Sequence, residues 1–200
     1  MRWDERYASS DYFFGTEPNG FLTEVVDRLP PGRALFLADG EGRNSVYLAS
    51  RGWQCTSMDA SQVGNEKAQA LSKRAGVSIK TVHADLRDYD IGGEKWDVVV
   101  SIFCHLPPAL RGDVHRRVVA GLKPGGAVVL EAYRPEQLQY RTGGPPDAAL
   151  MMSEETLRED FAGLEIVHCV ETVRDVTEGR GHTGRAAVVQ MLGFKPGVPT

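Results

Sequence analysis

The sequence predicts an α/β domain, a doubly wound and mostly parallel sheet of about seven strands with an antiparallel last strand. Three observations predict it. Short β-rich runs alternate with helical patterns from Ala34 to Tyr133. Two of the runs, WDVVVSIF and GAVVLEAY, are apolar almost throughout, as strands covered on both faces are. After Tyr133 the alternation stops, and the short glycine-rich linker TEGRGHTG joins two further β-rich runs, which favours a hairpin over another helical crossover.

The elements follow in order. ALFLA, Ala34 to Ala38, is a strand between PPG and a glycine loop, and Gly42 to Ser50 is the helix after it. Trp53 to Asp59 is the second strand and Ser61 to Arg74 the second helix. Val77 to Asp85 and Trp96 to Phe103 are the third and fourth strands, Pro108 to Gly121 a helix, and Gly126 to Tyr133 the fifth strand. A loop rich in Gly and Pro, Thr142 to Pro146, leads to Ser153, a good N-cap for a helix from Glu154 to Phe161. Strands over Leu164 to Val176 and Arg185 to Leu192 close the fold, the last expected antiparallel at the sheet edge. At 200 residues this is one domain: a lid and first helix over 1–31, a cofactor-binding core over 32–133, and a substrate-side loop, helix and hairpin over 134–200.

Composition narrows the class. A chain 42% hydrophobic and 25% charged buries an ordinary globular core. Its net charge of -4 offers no bulk attraction to a polyanion, so nucleic acid is not the expected partner. No apolar run reaches the length of a membrane span, so no membrane partner is expected, and the first fifteen residues have no signal-peptide core. Cys55, Cys104 and Cys169 fit neither a disulfide framework nor a CxxC-type metal site. The expectation is a cytoplasmic protein without a metal centre.

The chemistry concentrates at strand ends. In the turn ADGEGRN, Gly40 and Gly42 remove side chains where the backbone turns and approaches a ligand, and the next helix aims free amides at the same spot. A tight connection alone is the other reading. Asp59 ends the second strand, where a carboxylate accepts from a ribose diol or, alternatively, helps Ser61 cap a helix. Asp85, in HADL, ends the third. Asp39 and Glu41 would repel the pyrophosphate of a dinucleotide, and Ser45 replaces the third glycine of that fingerprint. A sulfonium and an ammonium tolerate such acids.

Taken in order, ALFLADGEGRN, MDAS, HADL, WDVVVSIFCHL and LKPGGAVVLEAY resemble the class I S-adenosylmethionine-dependent methyltransferases, which have Rossmann-like sheets. Within them the chain is similar to the small tellurite-resistance and thiopurine-type enzymes, the opening WDERY included. The resemblance implies S-adenosyl-L-methionine as cofactor. It implies Gly40 and Gly42 along its methionine part, with Asn44 nearby, Asp59 and Ala60 at its ribose, Asp85 and Leu86 at its adenine, and Ile102 beneath the reacting centre. Trp3 and Tyr7 would belong to a lid. Phe36 stands where the family usually has an acid and Ala38 where it has glycine, leaving Asp39 or Glu41 to recognise the ammonium.

Two histidines are candidate catalytic residues. His105 follows the fourth strand and either orients or deprotonates an acceptor, or holds a turn before Pro107. His182, in the terminal hairpin near Glu178, either approaches the acceptor or is a solvated turn residue. Tyr12, Phe13 and Phe14 either close over the sulfonium or pack the N-terminal arm. Arg134 and Arg141 follow the fifth strand, where a guanidinium holds an anionic acceptor or sits in solvent. Cys104 is a reactive thiol or a buried inert one. Methyl transfer needs mainly positioning, and a soft nucleophile such as a thiol or a chalcogen or metalloid species needs little base. With the chain nearly used up by the core, a small-molecule acceptor is expected. The alternatives are an NAD(P)-dependent oxidoreductase and a non-catalytic S-adenosylmethionine-binding module. The sequence does not specify the oligomeric state.

Overall fold

The computed structural model describes residues 3–197. Short helices α1 (Trp3–Tyr7) and α2 (Gly20–Val25) precede the sheet. Then come β1 (Arg33–Leu37), α3 (Arg43–Ser50), β2 (Gln54–Asp59), α4 (Gln62–Arg74), β3 (Lys80–His83) and β4 (Trp96–Ile102). The chain ends with α5 (Pro108–Gly121), β5 (Leu122–Tyr133), α6 (Glu154–Asp160), β6 (Glu165–Glu178) and β7 (His182–Phe194). The seven strands lie in the order β3-β2-β1-β4-β5-β7-β6. The first five run parallel, and β7 is antiparallel to both of its neighbours.

Alternation along each central strand feeds two cores. Leu35, Leu37, Val99, Val128 and Met191 pack with Val114, Val118, Leu157 and Phe161 of α5 and α6. Ala34, Phe36, Val98, Val129 and Leu192 pack on the other face with Phe21, Val46, Leu48 and Leu71 of α2, α3 and α4. Helices thus cover both faces. Strand order reverses between β1 and β4, which opens a crevice beyond their C-terminal ends. Local chemistry starts the helices: Asn19, Ser61 and Ser153 each accept a hydrogen bond from an orphan N–H of the first turn of α2, α4 and α6.

Two expectations need correction. The third strand is only Lys80–His83, because Val77 N–H turns back to the Ser72 carbonyl and closes the end of α4. The last strand is antiparallel, as expected, but it is not the edge. Residues Ala186 to Leu192 of β7 are buried without a break, whereas β6 alternates buried and exposed positions. An unbroken buried run marks a strand covered on both faces, so β7 lies inside and β6 takes the edge. No helix among the described residues is long and apolar enough to cross a membrane.

Candidate functional site

The loop after β1 is built on strained and glycine-dependent backbone. Ala38 takes a left-handed conformation at φ 49°, as a residue turning sharply off a strand end must. Gly42 precedes α3 at φ 86°, and a Cβ there would come within 2.8 Å of the Ala68 backbone on α4. Its glycine serves helix packing. Asp59, nearly buried, accepts from Gly40 N–H at 2.8 Å and from Ser61 N–H at 2.7 Å, so it ties the β1 loop to the start of α4 while still lining the crevice. Burial raises its carboxyl above the usual carboxylate range. Asp39 accepts from the Ser57 hydroxyl at 2.8 Å. Removal from water, reinforced by the charge of Asp59, pushes its carboxyl up to about 7 against the pull of Ser45, Ser57 and Arg43. Exposed Asp85 holds Arg87 through three hydrogen bonds, and these keep its carboxyl low.

Glu41 does something else. Its buried carboxylate accepts the N–H groups of Phe13 at 2.7 Å and Phe14 at 3.3 Å, and it pairs with Lys67. Lys67 in turn donates to the carbonyls of Tyr7, Ser9 and Asp11. The expectation that Glu41 binds the cofactor is therefore corrected: it clasps the N-terminal arm onto the loop. The arm covers the crevice with stacked Trp3 and Tyr7, whose ring centroids are 5.7 Å apart, and with Phe13 and Phe14 in edge-to-face contact at 4.9 Å.

Beyond β4, Phe103 is also left-handed, at φ 53°, which turns its ring into the crevice. His105 receives the Tyr133 N–H on Nε2 at 3.0 Å and donates from Nδ1 to the Phe103 carbonyl at 3.1 Å. Burial lowers its pKa to about 4. With both nitrogens engaged by backbone, His105 holds the turn; a base acting on the acceptor is the corrected expectation. His182 is the opposite case. It is buried in the crevice wall against Phe14 at 4.5 Å and Phe103 at 4.3 Å, and its Nδ1 has no partner among the described residues. A solvated turn histidine is thus not what the hairpin carries. Burial, then Arg43, hold its pKa well below the ordinary value, so the ring is neutral. Cys104 is fully buried, and its thiol is pushed up to about 12, which makes it inert.

One cleft of about 1210 Å³ collects most of these groups. Of the sequence-derived candidates it is lined by Trp3, Tyr7, Asp39, Asn44, Asp59, Ala60, Asp85, Leu86, Ile102, His105 and His182. Behind it, Gly40 N–H is held by Asp59 and Gly42 packs against Ala68. Missed by the sequence reading were Arg43, Phe103, Arg87 and Arg180, which also line it. Their positions beside strand ends were the available signal. Also missed was a buried network behind the wall. Arg43 pairs with Glu178 at 2.5 Å, and Arg174 bridges Glu178 and Glu131.

The donor set suits S-adenosylmethionine. Carboxyls of Asp39, Asp59 and Asp85 reach the cleft from three successive strand ends; in their ionised form they favour a sulfonium and an ammonium and repel a pyrophosphate.

Residues 34–126, a little under half the chain, match the family described as "Methyltransferase domain". Hemagglutinin 1 of Eikenella corrodens is 22% identical over 196 residues; the match takes in 94% of this chain but only 64% of that protein's length. Among solved structures, one described as "Conversion of a Disulfide Bond into a Thioacetal Group during Echinomycin Biosynthesis" superposes with a TM-score of 0.77 at 17% identity, covering 98% of this chain and 89% of that one. TehB from Haemophilus influenzae gives 0.73 at 19% identity, over 96% of this chain and 65% of that one. NodS from Bradyrhizobium japonicum WM9, an N-methyltransferase in complex with S-adenosyl-l-homocysteine, gives 0.69 at 15% identity, over 97% and 96%. Residues 34–126 thus match a methyltransferase-domain family, and the superpositions show that the chain shares the fold of these solved structures.

Proposed function

We propose that this chain transfers a methyl group from S-adenosylmethionine to a small-molecule acceptor that arrives as a soft nucleophile, a thiol or a chalcogen or metalloid species. The observation that carries the reading is the asymmetry of the cleft: three carboxylates at one end and, at the other, no histidine able to act as a base of ordinary strength. Bound S-adenosylmethionine supplies an electrophilic methyl, which takes an electron pair from the nucleophile while the pair of the breaking carbon–sulfur bond cancels the sulfonium charge. Asp59 would hold the ribose, Asp85 and Leu86 the adenine, and Asp39 the ammonium. The arm from Trp3 to Phe14 would exclude water. His105 keeps Phe103 in place, and His182 offers the acceptor a neutral ring rather than a proton sink. The net charge of -4 favours a small molecule over nucleic acid. The structural relative whose description names conversion of a disulfide into a thioacetal supports sulfur as the attacking atom.

Titration calorimetry tests the cofactor, and S-adenosylhomocysteine release from a panel of thiols, selenols and amines tests the acceptor. Binding of S-adenosylhomocysteine without binding of NAD(H) or NADP(H), together with turnover of thiols over amines, is expected. Dinucleotide binding alone would sink the reading.

A further inference from the structure

The sheet has two edges, and they differ. β3 closes one end with four residues, Lys80 among them. β6 closes the other with 14 residues, Glu165 to Glu178, and contains neither lysine nor proline. Short length, lysine and proline are the usual devices that keep an edge strand from pairing with another chain. Among the described residues no strand lies outside β6, and the chain leaving β7 turns toward β5, where Lys195 N–H donates to the Gly126 carbonyl. Five large apolar side chains are exposed among the described residues, and three of them, Val167, Val170 and Val173, stand on β6 at 43%, 43% and 39% exposure. The arginine of the strand, Arg174, is turned inward onto Glu131 and Glu178, so the exposed charges on β6 are the acids Glu165, Glu171 and Asp175.

We propose that β6 pairs antiparallel with β6 of a second copy of this chain, about a twofold axis through Val170. Such an axis stands normal to the sheet and opposes residues that point to the same face, so it passes through a residue rather than between two. Centred on Val170, the exposed valines complement themselves: Val170 meets its own counterpart, and Val167 meets Val173 on both sides of the axis. Cys169 then faces Glu171 and His168 faces Thr172, with no like charges opposed. A centre one residue further on sets Glu171 against Glu171, which is unfavourable, and a centre one residue back leaves no valine on a valine. The register of β6 on β7 shifts between Ile166 and His168, and this irregularity ends the paired stretch at Val167 and, by symmetry, at Val173. Glu165 and Asp175 of the two copies lie just past it, where their like charges oppose association. A stable interface uses about 20–30 residues a side. β6 has 14, so the dimer is a weak, concentration-dependent one. The β6–β7 turn and the cleft stay outside the paired stretch.

Sedimentation velocity over a concentration series tests this on the full chain. The parent should pass from monomer to dimer, and added salt should tighten the dimer by screening the acids at its ends. Val170→Lys sets two ammonium groups together on the axis and should weaken association by about tenfold or more, and Val170→Glu should do the same with two carboxylates. Because residue 170 meets itself, an equimolar mixture of the two variants should regain the dimer as a one-to-one hybrid, which a dimer through any other register or surface would not give. Val170 is exposed, so both variants should keep the thermal unfolding midpoint of the parent monomer, which shows that they are folded. A parent chain that stays monomeric throughout, or a dimer indifferent to both substitutions, overturns the proposal. So does a mixture that associates no better than either variant alone.

Discussion

Asp39 is the residue whose protonation the cleft should feel. Its folded-state pKa, about 7, lies above the ordinary 3.8, so the folded chain keeps a proton that the unfolded chain releases. Stability is therefore lost as pH rises from about 4 to about 7 and is level above that. Asp39→Asn removes the titration, and its stability relative to the parent should rise between pH 4.5 and pH 8 in urea unfolding; parallel pH curves would exclude it. The cationic cofactor favours the ionised carboxylate, so S-adenosylmethionine affinity should tighten through neutral pH in the parent and stay flat in the variant. Ala38 makes a smaller prediction. Glycine takes its φ of 49° without the left-handed penalty of about 1–2 kcal/mol, less a chain-entropy cost of about 0.4–1 kcal/mol. Ala38→Gly should thus gain up to about 1.6 kcal/mol by thermal or urea unfolding.

At the scale of the element, the Glu41 clasp is one of several polar ties that hold the arm, beside Asp4 on Ser61 and Val63 and the Tyr12 hydroxyl on the Lys67 carbonyl. α1 and the segment after it reach the cleft through Glu41, which takes both Phe13 and Phe14 N–H groups and the Lys67 ammonium. Hydrogen bonds to a charged group are worth about 1.5–3 kcal/mol, and in Glu41→Gln the arm should open more readily by that order. Hydrogen exchange at the Phe13 and Phe14 amides reads this directly: it should speed up roughly tenfold or more while the amides of β4 and β5 keep their protection. Equal protection in both proteins would mean that aromatic packing alone holds the arm. The hairpin of β6 and β7 is the arm's other seat, with Gly181 N–H on the Phe13 carbonyl at 3.3 Å.

Across the whole molecule, Glu131 joins parts far apart in sequence. It is wholly buried in β5, where it accepts two hydrogen bonds from Arg174 on β6, one from Gln190 on β7 and one from Asn19, the N-cap of α2. The Oδ1 of Asn19 also accepts the Leu22 N–H in the first turn of α2, and its Nδ2 donates to Glu178, which continues the network to Arg43 on α3. Removing one member of a buried pair leaves the other uncompensated, at a cost of about 3–5 kcal/mol. Glu131→Leu should lose about that much in urea unfolding, and adding Arg174→Leu should cost less than the sum of the two single changes. Strict additivity would show that the pair is not coupled.

The sequence by itself determined the alternation of strands and helices, the two-sided burial of β4 and β5, the hairpin, and the acidic strand ends at Asp39, Asp59 and Asp85. Each follows from periodicity or from a residue's place at the end of an apolar run, which are local properties. Tertiary structure decided the rest, because it depends on which partner a polar group meets. Glu41 reads like a ligand in a glycine loop, but the arm's amides reach it first. His105 is taken at both nitrogens by the backbones of β4 and β5, while His182 is walled in by rings from three separate segments. The inner place of β7 was legible in its largely apolar run, broken only by Gln190. The meeting of carboxyls and arginines in one cleft was not, since no spacing along the chain reveals which strand ends face each other.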